Sequence, residues 1–415
     1  IVRPTKITTG TTSITIIDPG ITIDERTWVE KPSCIVGEII VIGPDGSIPC
    51  VFPESGEYEV TVQYVDPVGQ SYLRNVTIIV HERPNPLILI PGITGSRLED
   101  EDGEVWPLPI SQLQDSLESL DFQLWDDVLN VVERLALTTT EVLTPTDIIR
   151  HAIDVGPFEA FEGYASLIEF LERAGGYQEY TGLPIGNCSE PNSLVQVPAP
   201  LFVFPYDWRL ANEVNADHLG ELIDCIQQIY PETEVDIIAH SMGGLIARRY
   251  IIDHQANNHV ETLITLGTPF WGTPDAIYRS LSGSFDLSLT SFITGTSLLT
   301  HEQATAFMTT TQATLSTFPS VFQLLPSNVY GDRTPESMIL IDGNGLTYSD
   351  TIQYLNDNLP GMPGVEIDTF HNYEVNGSGQ DTWRDPFAED PVNYIHIYGL
   401  ISDDSGNVLD STVSA

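Results

Sequence analysis

At 415 residues the chain exceeds the usual size of one domain, so two are expected. Hydrophobic residues make up 41% of it, enough for a packed core, yet no run reaches the roughly 20 apolar residues that a membrane span needs. Acidic residues number 59 against 16 basic ones, and the net charge of −43 argues against nucleic-acid partners and against electrostatic attraction to anionic lipid surfaces.

Such a charge suits a salty, extracellular setting in which self-repulsion is screened, and a secreted or cell-surface location is expected. The four cysteines, Cys34, Cys50, Cys188 and Cys225, fit that setting, because an even count permits one or two disulfides. Cys34–Cys50 is the favoured pair, with Cys188–Cys225 as a second. No C-x2-C or H-x3-H spacing occurs, so neither a metal site nor a cofactor is expected.

Residues 1–83 read as β throughout. Ser13–Ile17, Glu38–Ile42, Tyr58–Val65 and Val76–Val80 alternate or run apolar, and turn signals such as Gly43-Pro44-Asp45-Gly46 and Asp66-Pro67-Val68-Gly69 separate them. Short strands with regular turns predict a small all-β sandwich. Its closing piece, Gly56 to Val80, resembles the last two strands of immunoglobulin-like or PKD-like modules. No residue there has a catalytic look, so a spacer or adhesion module is expected.

Arg83-Pro84-Asn85-Pro86 reads as a stiff linker. The buried-strand run Leu87–Ile90 follows it and ends in Pro91-Gly92-Ile93-Thr94-Gly95-Ser96. Residues 100–200 hold no further strong strand. Helical patterns around Leu117–Val132 and Tyr164–Ala174, the second stopped by Gly175-Gly176, predict a lid-type insertion. Trp106, Phe122, Trp125, Phe158 and Phe161 offer it lipid-facing surface, although most are expected to be packing. Leu201–Arg209 is a strand that ends in a polar-aromatic corner, where Asp207 and Arg209 read as a structural pair. A helix at about 212–230 carries Leu219, Leu222, Ile223, Ile226 and Ile229 on one face.

The central stretch is Val235 to Tyr250. An apolar strand turns on Ala239-His240-Ser241-Met242-Gly243-Gly244 and continues as a helix with Leu245, Ile246 and Tyr250 at helical spacing. A strand, a tight serine turn and a helix make a nucleophile elbow, here with Ala239 in place of the first glycine of G-x-S-x-G. The shape lifts the serine Oγ above the sheet. It also aims the next backbone N–H, that of Met242, at a developing oxyanion. The Gly-rich loop after Leu87–Ile90 supplies the second donor, with the Ile93 N–H preferred and Thr94 as its neighbour. Glu261–Leu266 is the next strand, closed by Gly267–Pro274. Residues 275–390 form a second, mixed insertion, and Tyr394–Gly399 is one more strand. Strands alternating with helices predict a mainly parallel, doubly wound sheet.

The pieces Leu87–Ser96, Phe204-Pro205-Tyr206-Asp207-Trp208-Arg209, Ala239–Gly244, Gly267–Pro274 and Phe318–Pro326 occur in an order that resembles the lecithin:cholesterol acyltransferase family. The resemblance covers residues 87 to about 400. It implies an α/β-hydrolase domain over 84–415, with lid and cap insertions at 100–200 and 275–390, acting on acyl esters of lipids. It places the nucleophile at Ser241 and the oxyanion donors at Met242 and Ile93, and it allows transient contact with a lipid surface through the lid. Oligomeric state is left open.

The fold requires the chain order Ser, then Asp or Glu, then His. The acid is expected after the Tyr394–Tyr398 strand, and Asp410 is the candidate because Asp410-Ser411-Thr412-Val413 echoes the family's G-D-G-T-V. No histidine follows His396, so the chain as given is expected to stop short of the triad histidine, beyond Ala415. His371, in a turn-rich loop, reads as a surface residue; His396 reads as a core or edge residue; His240 is expected to pack or hydrogen-bond locally. The leading function is a serine esterase or lipase that works through an acyl-enzyme. The alternatives are acyl transfer to an alcohol and a non-catalytic surface binding protein on a hydrolase scaffold.

Overall fold

A computed structural model describes residues 84–107, 143–151, 163–180, 199–231, 233–254, 257–282, 301–328, 344–358, 371 and 392–398. Beyond these it describes single strands before residue 82, short pieces at 153–155, 158–161, 330 and 339–341, and two strands at 401–402 and 408–410. The chain divides into two compact units. One is Ile1–Asn85 with Leu171–Gln178 and Val195–Pro200; the other is Pro86–Phe170, Glu179–Leu194 and Leu201–Ala415.

In the first unit, β1 (Gly56–Val65) and β2 (Ser71–His81) form an antiparallel hairpin registered from Gly56↔Val80 to Val65↔Ser71. Strand Ile39–Val41 pairs parallel to β1 and Ile7–Thr8 parallel to β2. A separate antiparallel sheet joins Val2–Arg3, Ile14–Ile16 and Ser47–Ile48. Cys34 and Cys50 lie outside the described residues, as do the helical pattern at Leu117–Val132 and the side chains of Phe122, Trp125, Phe158 and Phe161.

The second unit is built on a sheet whose strand order follows from its connections. Its strands are β3 (Leu87–Ile90), β7 (Gln178–Glu179), β8 (Pro200–Val203), β9 (Val235–His240), β10 (Val260–Leu266) and β11 (Asn393–Ile397), ordered β7-β8-β3-β9-β10-β11. The pairs β8–β3, β3–β9, β9–β10 and β10–β11 are all parallel. Parallel strands need crossovers and are covered on both faces, so they read as apolar runs. Leu87, Ile88, Leu89 and Ile90 are all buried, as are Val235, Ile237, Ile238 and Ala239. Helices α2 (Asn212–Ile229) and α3 (Met242–His254) supply two of the crossovers. Leu219, Leu222, Ile223, Ile226 and Ile229 of α2 are buried together, each contributing about 2 kcal/mol of apolar transfer. This is the α/β-hydrolase arrangement, with the serine-bearing turn after the central strand β9.

Between β3 and α2 the expectation of no further strand fails. Strands β4 (Ser96–Asp100), β5 (Gly103–Trp106) and β6 (Thr144–Ile148) form an antiparallel sheet in the order β5-β4-β6. Two shorter strands, Ile153–Val155 and Phe158–Phe161, pair with each other. Sequences such as Thr144-Pro145-Thr146-Asp147 carry no apolar run because these strands are half-exposed. Helix α1 (Ala165–Phe170) ends through a wider turn at Leu171–Gly175, and Gly176 then adopts a positive φ of 72°, the stop that Gly175-Gly176 implies. Trp106 is buried, with its indole N–H donating to the Thr94 carbonyl at 2.7 Å, so it is packing rather than lipid-facing.

The Phe204–Arg209 corner is a buried brace. Arg209 donates to Asp207 from Nε at 2.8 Å and from Nη2 at 2.6 Å, with both side chains almost fully buried. Trp208 stacks edge-on against Trp106 and Phe318, at 5.3 and 5.7 Å between ring centroids. Helices α4 (Pro274–Ser282) and α5 (His301–Leu315) come after β10 in the chain, and helix α6 (Pro319–Phe322) docks here through Ser320 Oγ, which donates to the Trp208 carbonyl at 2.5 Å. Gln323 Oε1 accepts from the Asn212 N–H at 2.7 Å, and Gln323 Nε2 donates to the Glu213 carboxylate. Ala211 gives α2 no side-chain cap, so a residue over a hundred positions away satisfies one of its first amides. The Phe318–Pro326 and Phe204–Arg209 motifs are therefore two halves of one contact.

Breaking a buried ion pair leaves the surviving charge without compensation. Asp207→Ala is expected to destabilise the second unit by about 3–5 kcal/mol, measured by urea unfolding. A loss within the few tenths of a kcal/mol typical of a surface change would show that the pair does not hold the corner.

Candidate active site

Parallel register places the site. Ala239 lies beside Ile90 and His240 beside Leu266, so the turns after β3, β9 and β10 leave the sheet at one end. The Ser241 N–H donates to the Leu266 carbonyl at 2.8 Å, and the Gly267 N–H to Ile397 at 2.8 Å. Ser241 has a φ of +49°, a left-handed conformation that costs a non-glycine residue about 1 kcal/mol or more and that an elbow requires. Its Oγ makes no hydrogen bond to any described residue, and the residue is partly exposed.

Close approach explains the glycines. A Cβ on Gly243 would sit 2.4 Å from the Pro91 carbonyl, and one on Gly244 would sit 2.0 Å from Thr268 Oγ1. A Cβ on Gly92 would meet Ser241 Cβ and His240 Nδ1, each at 3.0 Å. Residues 91–96 are therefore pressed against the elbow, and nearly every polar group of this loop is engaged. The Gly92 N–H donates to Tyr164 Oη at 2.8 Å. The Gly92 carbonyl accepts from the Gly95 N–H at 3.0 Å, and the Gly95 carbonyl accepts from Ile149 at 2.8 Å. Tyr206 Oη donates to the Pro91 carbonyl at 3.0 Å, and Ser96 Oγ accepts from the Tyr206 N–H at 3.0 Å. Among the described residues the amides of Ile93 and Thr94 have no hydrogen-bond partner, the second in a residue with a positive φ of 62°. Met242 opens α3, so its N–H has no acceptor within the helix. These three amides belong to the two turns that flank Ser241.

The histidines separate clearly. His240 Nδ1 lies 2.7 Å from the Oη of Tyr164, a residue 76 positions away in sequence. Burial pushes its imidazole down to about 4, so the ring is neutral at pH 7. Burial likewise pushes the Tyr164 phenol up to about 12. His371 is not a surface residue. It is fully buried, with Nδ1 2.9 Å from the Phe270 carbonyl and Nε2 3.0 Å from the Leu325 carbonyl, where it ties the Gly267–Pro274 turn to the Phe318–Pro326 segment. A turn-rich sequence concealed a residue that fills the joint between two loops. His396 lies on β11 with Nδ1 2.7 Å from Thr265 Oγ1 and its ring edge-on to Phe270; burial and then the nearby Arg248 charge lower its imidazole. None of the three is hydrogen-bonded to Ser241 Oγ. Asp410 pairs with Ile401 in a short antiparallel ladder, and its side chain lies outside the described residues. Cys225 is disulfide-bonded, and its partner lies outside the described residues, as does Cys188. Among the described residues no cluster of three or more His, Cys, Asp or Glu could hold a metal ion, and no helix is long and apolar enough to cross a membrane.

Tyr164 is the residue that sequence reasoning missed. It begins the α1 segment, 72 and 76 positions from its two partners, and no local spacing links them.

Fold and elbow define an α/β-hydrolase. Residues 196–378 match the sequence model of the lecithin:cholesterol acyltransferase family. The chain is 26% identical over 223 residues to lecithin-cholesterol acyltransferase-like 4 of Arabidopsis thaliana, covering 50% of this chain and 38% of that protein. It is 24% identical over 218 residues to an uncharacterised protein of Saccharomyces cerevisiae, covering 51% and 27%. The chain thus spans well under half the length of these relatives. Among solved structures it is similar to the Tle4–Tli4 complex, at 17% identity, 70% and 66% coverage and a TM-score of 0.42.

A histidine held neutral by burial makes stability depend on pH. The unfolded imidazole titrates near 6.5 and the folded one at about 4, so the contribution is whole above about pH 6.5, drains away as the pH falls and is gone below about 4. His240→Gln keeps an acceptor for Tyr164 and removes the titration. The stability difference between wild type and this variant is expected to fall by about 2–3 kcal/mol from pH 7 to pH 4 in parallel urea titrations. A difference that does not change with pH would mean that His240 is not buried as a neutral ring.

Proposed function

We propose that the second unit is a serine hydrolase acting on acyl esters of lipids through an acyl-enzyme on Ser241. The observation that carries this reading is the positive φ of Ser241 at the end of β9, flanked by the amides of Ile93, Thr94 and Met242, which have no acceptor among the described residues. In this reading a general base takes the Ser241 Oγ proton as Oγ attacks the ester carbonyl, and the carbonyl oxygen becomes an oxyanion between the Met242 and Ile93 N–H groups; its collapse expels the alcohol, which receives that proton, and water then hydrolyses the acyl-enzyme to the free acid. Preorganised amides of this kind are worth about 10²–10³ in rate each. Asp410, in the segment after β11 where the fold's chain order puts the acid, is the proposed orienting carboxylate. No role as base falls to His240, His371 or His396, whose rings are held by other partners. The match to the acyltransferase family keeps acyl transfer to an alcohol as the second reading. Extracellular placement and lid contact with lipid surfaces go with the same proposal.

In the full-length protein a fluorophosphonate is expected to label Ser241, and Ser241→Ala is expected to abolish labelling and cut ester turnover by roughly 10³-fold or more with the fold intact. Turnover retained in the folded alanine variant would sink the assignment. Adding a long-chain alcohol to the assay separates the two readings, since only a transferase forms the new ester.

The β unit at residues 1–83 is proposed as a spacer or adhesion module of immunoglobulin-like or PKD-like type, dispensable for chemistry. A chain that starts at Arg83 is expected to keep its kcat within about twofold per labelled serine, because no residue of the proposed site lies before Leu87. A large fall in kcat with unchanged circular dichroism would show that the β unit shapes the site.

A further inference from the structure

We infer that Tyr164 is a positioning residue for the nucleophile turn and the oxyanion loop, its hydroxyl fixing both the amide the loop leaves free and the tautomer of His240. This rests on the hydrolase reading for its kinetic consequence, not for its geometry.

A phenol has one hydrogen to donate. Tyr164 Oη stands 2.8 Å from the Gly92 nitrogen and 2.7 Å from His240 Nδ1. A backbone N–H only donates, so the hydroxyl accepts from Gly92 and its own hydrogen points to His240. Nδ1 must then carry the lone pair, and the ring proton sits on Nε2. Neither partner reverses this polarity at neutral pH, because burial keeps the tyrosine protonated and the histidine neutral.

The loop pays out its amides accordingly. Gly92 is the first amide of the turn after β3, and its Cα lies against the Ser241 side chain, so on position alone it competes with Ile93 for an oxyanion. Its engagement with Tyr164 removes it from that role and leaves Ile93 and Thr94. His240 immediately precedes Ser241, so fixing its ring also fixes the residue from which the strained serine departs.

The tyrosine is itself held. Its N–H donates to the Ile149 carbonyl at 3.0 Å, and the Ala165 N–H donates to the Arg150 carbonyl at 2.7 Å. Arg150 is clamped between Asp147 and Glu179, which raises its guanidinium well above the ordinary value. A Cβ on Gly163 would stand 2.2 Å from the Arg150 carbonyl, so the chain enters Tyr164 along a path only glycine can take. A part of the first insertion is thereby built to deliver one hydroxyl to the joint between the two catalytic turns.

Two measurements test this. In the wild-type chain labelled with nitrogen-15 at histidine, His240 is expected to show the Nε2–H tautomer alone at pH 7, and in Tyr164→Phe a mixture of tautomers. With a short-chain p-nitrophenyl ester, Tyr164→Phe is expected to lower kcat about tenfold while KM stays within about twofold, because orientation of the oxyanion donors matters in the transition state and not in binding. A purely structural tyrosine would lower the melting temperature and leave kcat per folded, fluorophosphonate-titrated enzyme unchanged. An Nδ1–H tautomer in the wild type, or an unchanged kcat in the phenylalanine variant, overturns the inference. A full-length wild type with neither turnover nor phosphonate labelling would instead overturn the hydrolase reading, and the histidine spectrum would still decide the role of Tyr164.

Discussion

The second unit depends on one constraint: the turns after β3 and β9 must lie within van der Waals contact of each other. Parallel pairing of Ile90 with Ala239 sets this up, because the chains leave the sheet side by side. The consequence is that positions 92, 243 and 244 have no room for a side chain. Hydrogen bonds then fix the loop in place, and the tally of its polar groups is nearly complete. Two adjacent amides, at Ile93 and Thr94, find no acceptor among the described residues, and both lie beside the strained serine.

The parts of the chain farthest from the serine serve that geometry indirectly. The Asp207–Arg209 pair is buried deeply enough that its stability value is small against a hydrophobic equivalent, yet it orients the corner onto which Trp208 and α6 pack. From α6 the chain runs to Leu325, whose carbonyl meets His371, while the other nitrogen of that ring meets Phe270 in the turn after β10. A Cβ on Gly272 would stand 2.2 Å from the same Leu325 carbonyl. Motifs scattered from Phe204 to His371 thus converge on the loops that frame the open end of the sheet.

Legibility in the sequence followed the range of the interactions. Strands β3, β9 and β10 were visible as apolar runs because both faces of a parallel sheet are covered, and the elbow was visible because strand, serine turn and helix are contiguous. The expectation at Ile93, with Thr94 as its neighbour, rested on the place of the Gly-rich loop directly after the early strand β3. Half-exposed strands such as β6, written Thr-Pro-Thr-Asp-Ile, gave no pattern to read. His371 and Tyr164 were illegible for a different reason. Each acts through backbone groups, carbonyls in one case and an amide in the other, and backbone groups have no signature in a sequence. Only the juxtaposition of distant segments reveals what a buried ring nitrogen or hydroxyl is bonded to.

The Tyr164 hydroxyl accepts from the turn after β3 and donates to the residue before Ser241, and so couples the two: a shift of Gly92 relative to His240 must break a hydrogen bond of 2.7 or 2.8 Å in a buried setting. Each such bond left unmade costs about 1–3 kcal/mol, comparable with the backbone strain at Ser241. The strained serine is therefore held by its neighbours rather than by its own contacts, and its Oγ is free of hydrogen bonds to the described residues for that reason. Among the described residues, rigidity is concentrated in the frame around Ser241, and its hydroxyl is left unengaged.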